Sequence, residues 1–167
     1  MSVPVAITRR RGGKLRDPTG VVADMTNDVE LSPTDWVREQ TETILRTGTT
    51  EGITVADRPI ILVTTQGAKS GKKRYVPVMR VEDGGTYTMI ASKGGTPEHP
   101  AWYHNVKAHP EVSVQDGTAV RSYVAREIDG DERRQWWDRA VDAYPPYAEY
   151  QQKTDRVIPV FLLEPAG

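Results

Sequence analysis

Two tight-turn signals limit the fold of this chain more than any other feature. Asp83-Gly84-Gly85 and Asp116-Gly117 each separate two runs rich in apolar and β-branched residues. Asp-Gly pairs readily adopt the positive φ angles of hairpin loops, so each turn is predicted to join an antiparallel pair of strands. Such pairs do not alternate regularly with helices, which argues against a doubly wound sheet. The predicted strands are 60–65, 75–82, 86–92, 111–115, 118–128 and 156–164.

Helices are predicted in the segments between these strands. A helix is predicted to start at Ser32-Pro33-Thr34-Asp35, with Ser32 as its cap and Pro33 in its first turn, and to run to about Thr47 and stop at Gly48. Serine and proline favour a helix start and glycine favours a stop. Further helix starts are predicted at Pro100, at the capping box Asp129-x-x-Glu132 and at Pro145-Pro146. Pro77 indicates an edge strand or a bulge. Six mostly antiparallel strands with helical insertions suit a mainly β fold built as a small barrel.

Length and composition narrow the class of protein. The 167 residues suffice for one domain, which we place at 32–167 behind a flexible arm at 1–31. The absence of cysteine excludes disulfides, iron–sulfur clusters and thiol nucleophiles. A net charge of −1 argues against a globally basic nucleic-acid binder. No apolar run approaches the ~20 residues that span a bilayer, so a cytoplasmic location is expected.

A local excess of positive charge is the first candidate binding feature. No acidic residue occurs between Arg58 and Val81, and the basic loop at 67–74 contains two glycines among lysines and an arginine. Backbone N–H groups and fixed charges of this kind hold phosphate or carboxylate. The loop joins two strands and lacks the spacing of a nucleotide-binding P-loop. The alternative is a solvated surface.

Two further segments have the composition of a wall around a flat ligand. Ala91-Ser92-Lys93-Gly94-Gly95 combines paired glycines, which permit close approach to the backbone, with two hydrogen-bond donors. Pro100-Ala101-Trp102-Tyr103-His104-Asn105 is both aromatic and polar. The alternatives are a plain turn and a tryptophan that packs in the core.

Three tyrosines at a spacing of three form the last candidate cluster. Tyr144, Tyr147 and Tyr150 fall on neighbouring parts of one helical face. They either pack as hydrophobic residues or line a pocket in which their hydroxyls donate protons. The three histidines, five residues apart, do not share a helix face, so no metal site is expected. Together these residues indicate a flat anionic cofactor that brings its own chemistry.

These motifs, in their order along the chain, resemble the deazaflavin-dependent nitroreductase family, whose members use the deazaflavin cofactor F420. The resemblance rests on Thr64-Thr65-Gln66-Gly67-Ala68-Lys69-Ser70-Gly71, Ala91-Ser92-Lys93-Gly94-Gly95, Pro100-Ala101-Trp102-Tyr103-His104-Asn105, Tyr144-Pro145-Pro146-Tyr147, Thr154-Asp155-Arg156 and Ile158-Pro159. It implies a six-stranded antiparallel split β-barrel, similar to that of FMN-binding oxidases. It also implies hydride transfer from the reduced deazaflavin.

The resemblance assigns roles to individual residues. Its cofactor-binding residues are Lys69, Ser70, Gly71, Lys72, Arg74, Pro77, Ala91, Ser92, Lys93, Gly94 and Trp102. The basic loop would hold the phosphate and acidic tail, and Ser92, Lys93, Gly94 and Trp102 would flank the rings. The catalytic residues would be Ser92, Tyr144, Tyr147 and Tyr150, with Ser92 or Tyr147 polarising or protonating the acceptor oxygen.

The segments 35–40 and 48–52 resemble one subgroup rather than the nitroreductases for which the family is named, so a quinone is the expected acceptor ahead of a nitro-aromatic compound. An F420-reducing dehydrogenase would then supply the reduced cofactor indirectly. The alternatives are an FMN-dependent enzyme of the same fold, a non-catalytic F420 carrier and an RNA-binding loop, the last disfavoured by the acidic C-terminal half. The basic residues at 9–16 allow a loose membrane association.

Overall fold

The computed structural model describes residues 29–30 and 35–166. Its strands are β1 (Val29–Glu30), β2 (Thr54–Val55), β3 (Arg58–Gln66), β4 (Lys73–Met79), β5 (Glu82–Asp83), β6 (Thr86–Ile90), β7 (Glu111–Asp116), β8 (Ala119–Ile128) and β9 (Val160–Pro165). Its helices are α1 (Asp35–Thr47), α2 (Ala101–Ala108), α3 (Gly130–Ala143) and α4 (Pro146–Gln152), with a 3₁₀ turn at Lys93–Gly95. None of the helices in these described ranges is both long and apolar enough to cross a membrane.

The strands form one nine-stranded sheet in the order β1-β4-β3-β7-β8-β9-β6-β5, with β2 paired to β3. All pairings are antiparallel except the short parallel contact between β1 and β4. Alternate residues of the six longer strands point into one shared core, which is how a curled sheet encloses its interior. The predicted mainly β split-barrel class is therefore confirmed, and three two-residue strands are added to the six predicted.

Helices cover two parts of the outer sheet surface and one opening. Ile44 of α1 packs on Ile60 and Leu62 of β3. Trp136 of α3 belongs to a second cluster that packs on β6 and β9. Helix α2 contributes Val106 to the interior core. A space beside β4 remains uncovered between α1, α2 and α4.

The first predicted hairpin is much shorter than expected. The segment 75–82 is not one strand paired with β6, because β4 ends at Met79 and pairs with β3 along its whole length. The N–H of Arg80 still donates to Pro59 of β3, whereas the carbonyl of Val81 accepts from Thr88 of β6. The chain therefore passes from one half of the barrel to the other between these two residues. Only β5 forms the hairpin with β6.

Other element predictions agree with the structure or need small corrections. Helix α1 ends at Thr47 as predicted, and the second hairpin pairs Asp116 with Ala119. Pro77 lies beyond the part of β4 that β1 covers, as an edge position requires. The capping box is wrong: Asp129 makes no side-chain cap, and Glu132 binds Arg126 instead.

The last strand begins four residues later than predicted. Arg156 and Ile158 donate their N–H groups to the side chains of Thr154 and Gln151 rather than to a neighbouring strand. Pairing with β6 and β8 starts at Val160. Residues 29–30, predicted as part of the flexible arm, pair with Lys73 and Arg74 as β1. Residues 1–28 and the capping signal Ser32-Pro33 lie outside the described residues, so the arm stays a prediction.

Candidate active site

A cavity of about 270 Å³ lies where α1, β4, the 3₁₀ turn, α2 and α4 meet. It brings together predicted site residues from four separate parts of the chain. Those that line it are Pro77, Ser92, Lys93, Gly94, Trp102, Tyr144, Tyr147 and Tyr150. Ala91, which precedes Ser92, does not line the cavity. It is buried, and its N–H donates to the carbonyl of Pro159.

The segment at residues 91–96, which we call the Ser92 turn, forms one wall. Lys93, Gly94 and Gly95 have φ angles of 45°, 66° and 83°, so three consecutive residues adopt the left-handed conformation. Glycine adopts this region without steric cost, whereas a residue with a Cβ such as Lys93 is strained there. A Cβ on Gly95 would lie 2.7 Å from the carbonyl oxygen of Tyr150. Glycine at 95 therefore lets the turn pack against α4.

The three tyrosines form the facing wall. Helix α3 ends at Ala143, whose carbonyl accepts a hydrogen bond from the Arg58 guanidinium, and Pro145-Pro146 starts α4. The hydroxyls of Tyr144 and Tyr150 are 3.0 Å apart. The Tyr147 ring packs edge-on against Tyr144, with the centroids separated by 5.0 Å. Tyr147 is buried, and Tyr144 and Tyr150 are partly exposed.

The hydroxyls of Tyr147 and Tyr150 keep their protons at neutral pH. Burial raises the pKa of Tyr147 well above its ordinary value, with a smaller contribution from the neighbouring tyrosines. The hydrogen bond with Tyr144, followed by burial, raises the pKa of Tyr150 to about 12. Both groups are thus hydrogen-bond donors rather than bases, and they suit an acceptor oxygen that gains negative charge.

The remaining walls are flat and apolar. Pro77, Val78 and Met79 line the cavity from β4, and Trp102 lines it from α2. Trp102 is held by an edge-to-face contact with Phe161, at a centroid distance of 5.7 Å. Apolar walls with a few hydroxyls at one side are typical of a site for a planar ring system.

The basic loop lies outside this cavity but is attached to α2, the helix that carries Trp102. The N–H of Ala68 donates to the Asn105 side chain of α2 at 2.9 Å, and Asn105 stands one turn from Trp102, on a neighbouring face. Lys69, Ser70 and Lys72 are exposed. Gly71 borders a different cavity, of about 530 Å³. Helix α2 thus connects the basic loop, through Asn105, with the cavity that Trp102 lines.

The shape of the basic loop depends on Gly67. Its N–H donates to the carbonyl of Lys72 at 2.8 Å, and its carbonyl accepts from Gly71 at 3.0 Å. A Cβ on Gly67 would lie 2.7 Å from the Ser70 hydroxyl oxygen and 3.0 Å from Nε of Arg74. A side chain at this position would therefore displace the side chains of Ser70 and Arg74, which pack against Gly67.

No residue of α1 was among the predicted site residues. Trp36, which is 56 % exposed, and Gln40 both line the cavity. The Nε2 group of Gln40 donates to the carbonyl of Thr54 at 3.1 Å, which ties the helix to β2. An exposed tryptophan on a helix with few apolar positions was the available signal, since such a side chain usually has a surface to cover.

Comparison with known proteins agrees with this geometry. The F420H(2)-dependent quinone reductase family matches residues 36–165. An F420H(2)-dependent quinone reductase from Mycobacterium tuberculosis (strain H37Rv) is 37% identical over 108 residues, which cover 63% of this chain and 72% of that protein. A solved F420-H2 dependent reductase (FDR-A) is 68% identical and has a TM-score of 0.62, covering 68% of this chain and all of that chain (100%).

Two further structures extend the comparison. A chain solved as a domain-swapped dimer is 69% identical, has a TM-score of 0.64 and covers 80% of this chain and 100% of that one. HutZ, a heme storage protein from Vibrio cholerae, is only 15% identical at a TM-score of 0.51, covering 66% of this chain and 84% of that chain, and shows the fold alone. The family match confirms the predicted reductase class, coenzyme F420 and the quinone acceptor. This chain belongs to the F420H(2)-dependent quinone reductase family.

Proposed function

We propose that this protein transfers a hydride from reduced coenzyme F420 to a quinone within the cavity between the Ser92 turn and the three tyrosines. One observation carries the proposal: a single cavity collects hydroxyl donors, a left-handed turn and flat apolar walls from distant parts of the chain. The family supports the reaction class. The assignment of individual residues is our inference from their positions.

The residues present fit the cofactor. A planar ring system needs flat apolar contacts, which Pro77, Met79 and Trp102 offer. The phosphate and acidic tail need cations and N–H donors. Lys69 and Lys72 stand exposed on the basic loop, which Asn105 fastens to the helix that carries Trp102. Helix α2 thus connects the ring site, through Trp102, with the tail site, through Asn105.

The chain contributes orientation and a proton donor. When bound, the reduced deazaflavin supplies a hydride, which together with one proton converts a quinone to a quinol. The Tyr147 or Ser92 hydroxyl donates a hydrogen bond to the quinone oxygen as that oxygen gains charge. Trp36 and the apolar residues of β4 line the same cavity and offer the quinone an apolar surface.

A fluorescence titration with oxidised F420, run in parallel with FMN, tests cofactor identity. We expect saturable binding of F420 and weaker binding, by about 3- to 10-fold, in the Lys69→Ala variant. Arg134→Ala is the matched control, because Arg134 is an exposed cation that pairs with Asp131 on α3. Binding of FMN alone would move the chemistry to an ordinary flavin.

A turnover assay separates an enzyme from a carrier. Reduced F420 is mixed with a soluble naphthoquinone, and oxidation of the cofactor is followed by its absorbance. We expect multiple turnovers with the quinone and slower turnover with a nitro-aromatic compound. Tight binding of F420 without oxidation by any quinone would identify a non-catalytic carrier instead.

Each turnover consumes reduced cofactor, so we propose that a separate F420-reducing dehydrogenase regenerates it. The two enzymes need no direct contact, since F420 diffuses between them. The cytoplasmic location and the loose membrane association stay predictions. The basic residues at 9–16 that motivate the membrane association lie outside the described residues.

A further inference from the structure

Arg156 makes more hydrogen bonds to the Ser92 turn than any other described side chain. Its Nε donates to the carbonyl of Thr96 at 2.9 Å, and its Nη2 to the carbonyl of Ser92 at 2.9 Å. Its Nη1 donates to the carbonyl of Ala91 at 3.1 Å and lies 3.0 Å from Nδ1 of His99. One guanidinium thus connects both ends of the turn.

The turn needs an external support because its backbone is strained. Lys93 has a Cβ and a φ of 45°, and two further left-handed residues follow it. Such conformations persist only where the surroundings over-determine them. The internal bonds are few: Gly95 donates to Ser92 at 2.9 Å, and Thr96 donates to Lys93 at the longer distance of 3.3 Å.

The electrostatic setting of Arg156 is unfavourable, which argues for a specific role. All four of these contacts are to neutral acceptors, and among the described residues no carboxylate contacts the guanidinium. Burial lowers the pKa of Arg156, and the charge of Glu98 offsets this only in part. Three of its contacts go to backbone carbonyls of one turn, so the guanidinium directly fixes the geometry of that turn.

We propose that Arg156 is a positioning residue of the hydride-transfer site, which acts through the Ser92 turn without touching substrate. The guanidinium fork holds the carbonyls of Ala91, Ser92 and Thr96, and thereby sets the place of the Ser92 hydroxyl and the Gly94 backbone opposite the tyrosines. This inference rests on the proposed function. Gly95 completes the arrangement, because its contact with Tyr150 joins the turn to α4.

The test compares Arg156→Lys and Arg156→Ala in single-turnover oxidation of reduced F420 by a naphthoquinone at saturating concentrations. Lysine keeps the charge but lacks the planar fork that reaches several acceptors at once. We expect the rate to fall about tenfold in Arg156→Lys and roughly 10²-fold in Arg156→Ala. We expect F420 affinity to change less than the rate, since the basic loop holds the tail elsewhere.

Two additional arms separate positioning from general destabilisation. Arg126→Lys is the matched control, because Arg126 also makes several bonds, to Glu132 and Glu164, but lies away from the turn; it should keep the wild-type rate. Added guanidinium ion should restore part of the rate of Arg156→Ala and leave Arg126→Ala unchanged. Melting temperatures verify that each variant is folded.

The outcomes are distinguishable. If the wild-type protein itself fails to oxidise reduced F420 with quinone, the proposed function is wrong. If the wild-type protein is active and Arg156→Lys keeps its full rate, or loses no more than Arg126→Lys, the positioning role is wrong while the proposed function stands. If Arg156→Ala does not fold, Arg156→Lys alone decides by the same criterion.

Discussion

Tyr147 combines burial with a position in the wall of the cavity. Its ring packs between Tyr144 and Tyr150 and close to Trp137. Its hydroxyl stays protonated because burial raises its pKa. The ring and the hydroxyl therefore have separable roles, packing and donation, and a single substitution distinguishes them.

We expect Tyr147→Phe to keep the fold and to lower kcat by about 10²-fold, because it removes the donor and retains the ring. Steady-state kinetics with reduced F420 and a naphthoquinone measure the effect. Tyr103→Phe is the control, since the Tyr103 hydroxyl makes only a long contact, 3.5 Å, with Glu127. Full turnover in both Tyr147→Phe and Ser92→Ala would exclude these two hydroxyls as donors.

His99 is expected to make the stability of the protein depend on pH. Its Nδ1 faces the Arg156 guanidinium, which can only donate, so the neutral ring carries its proton on Nε2. Burial first, then the positive charge of Arg156 and His104, lowers the pKa of His99, against a smaller opposing effect of Glu127. Protonation of His99 would place two cations in contact beneath the Ser92 turn.

A histidine whose pKa is lower in the folded state than in the unfolded state adds stability above the unfolded pKa of about 6.5. That contribution is lost as the pH falls through the lower folded pKa. We expect the wild-type protein to lose more unfolding free energy than His99→Gln between about pH 7.5 and about pH 5.5. Urea denaturation at both pH values measures the difference. Equal losses would show that His99 does not titrate as described.

Among the structural elements, the Ser92 turn and helix α4 pack directly against each other. A Cβ on Gly95 would meet both the carbonyl oxygen of Tyr150 and, at 3.1 Å, the Cβ of Lys153. The turn therefore approaches α4 as closely as a backbone without a side chain allows. The position of Tyr150 in the cavity depends on this contact.

We expect Gly95→Ala to destabilise the protein by more than the ~1–2 kcal/mol of left-handed strain alone, and to lower kcat by displacing α4. Gly84→Ala is the matched control, since Gly84 has a φ of 61° and an added Cβ there meets nothing within 4 Å. Thermal melts and turnover rates compare the two variants. Equal destabilisation with unchanged kcat in Gly95→Ala would mean that the contact with α4 is not needed.

The sequence predicted the elements better than their pairing. Turn and capping signals are local, so the six strands and four helices were recognisable from residues close together in the chain. The wrong long hairpin at 75–92 has a tertiary cause: Arg80 still bonds to β3, whereas Val81 already bonds to β6. Local sequence patterns do not determine which strand of the barrel another strand pairs with.

At the scale of the whole molecule, the site exists only because the barrel closes on itself. Arg80 and Tyr87 both donate hydrogen bonds to the Asp116 carboxylate. The Tyr87 hydroxyl oxygen lies 2.6 Å from Oδ2 of Asp116. These residues come from the end of β4, from β6 and from β7, which are not neighbours in the sheet. The cavity and the basic loop depend on the same closure, so ligand binding and global folding are coupled.

We expect oxidised F420 at about 100 times its dissociation constant to stabilise the fold by about 2.7 kcal/mol, since it binds only the folded state. For a chain of this size that corresponds to a rise of roughly 5–10 °C in Tm. Differential scanning fluorimetry, with FMN at equal concentration as the control, measures it. An equal rise with FMN would contradict the assignment of the cofactor.

The sequence alone determined most strands and helices, because turn signals are local. Local charge indicated an anionic cofactor, and the ordered motifs indicated the protein family. The sequence predicted that Ser92 and Tyr147 belong to one site, but it contained no signal for the distance between them. The tertiary structure decided that Trp36 and Gln40 join the cavity and that Arg156 supports the turn. Such contacts join residues far apart in the chain, and only the closure of the sheet brings them together.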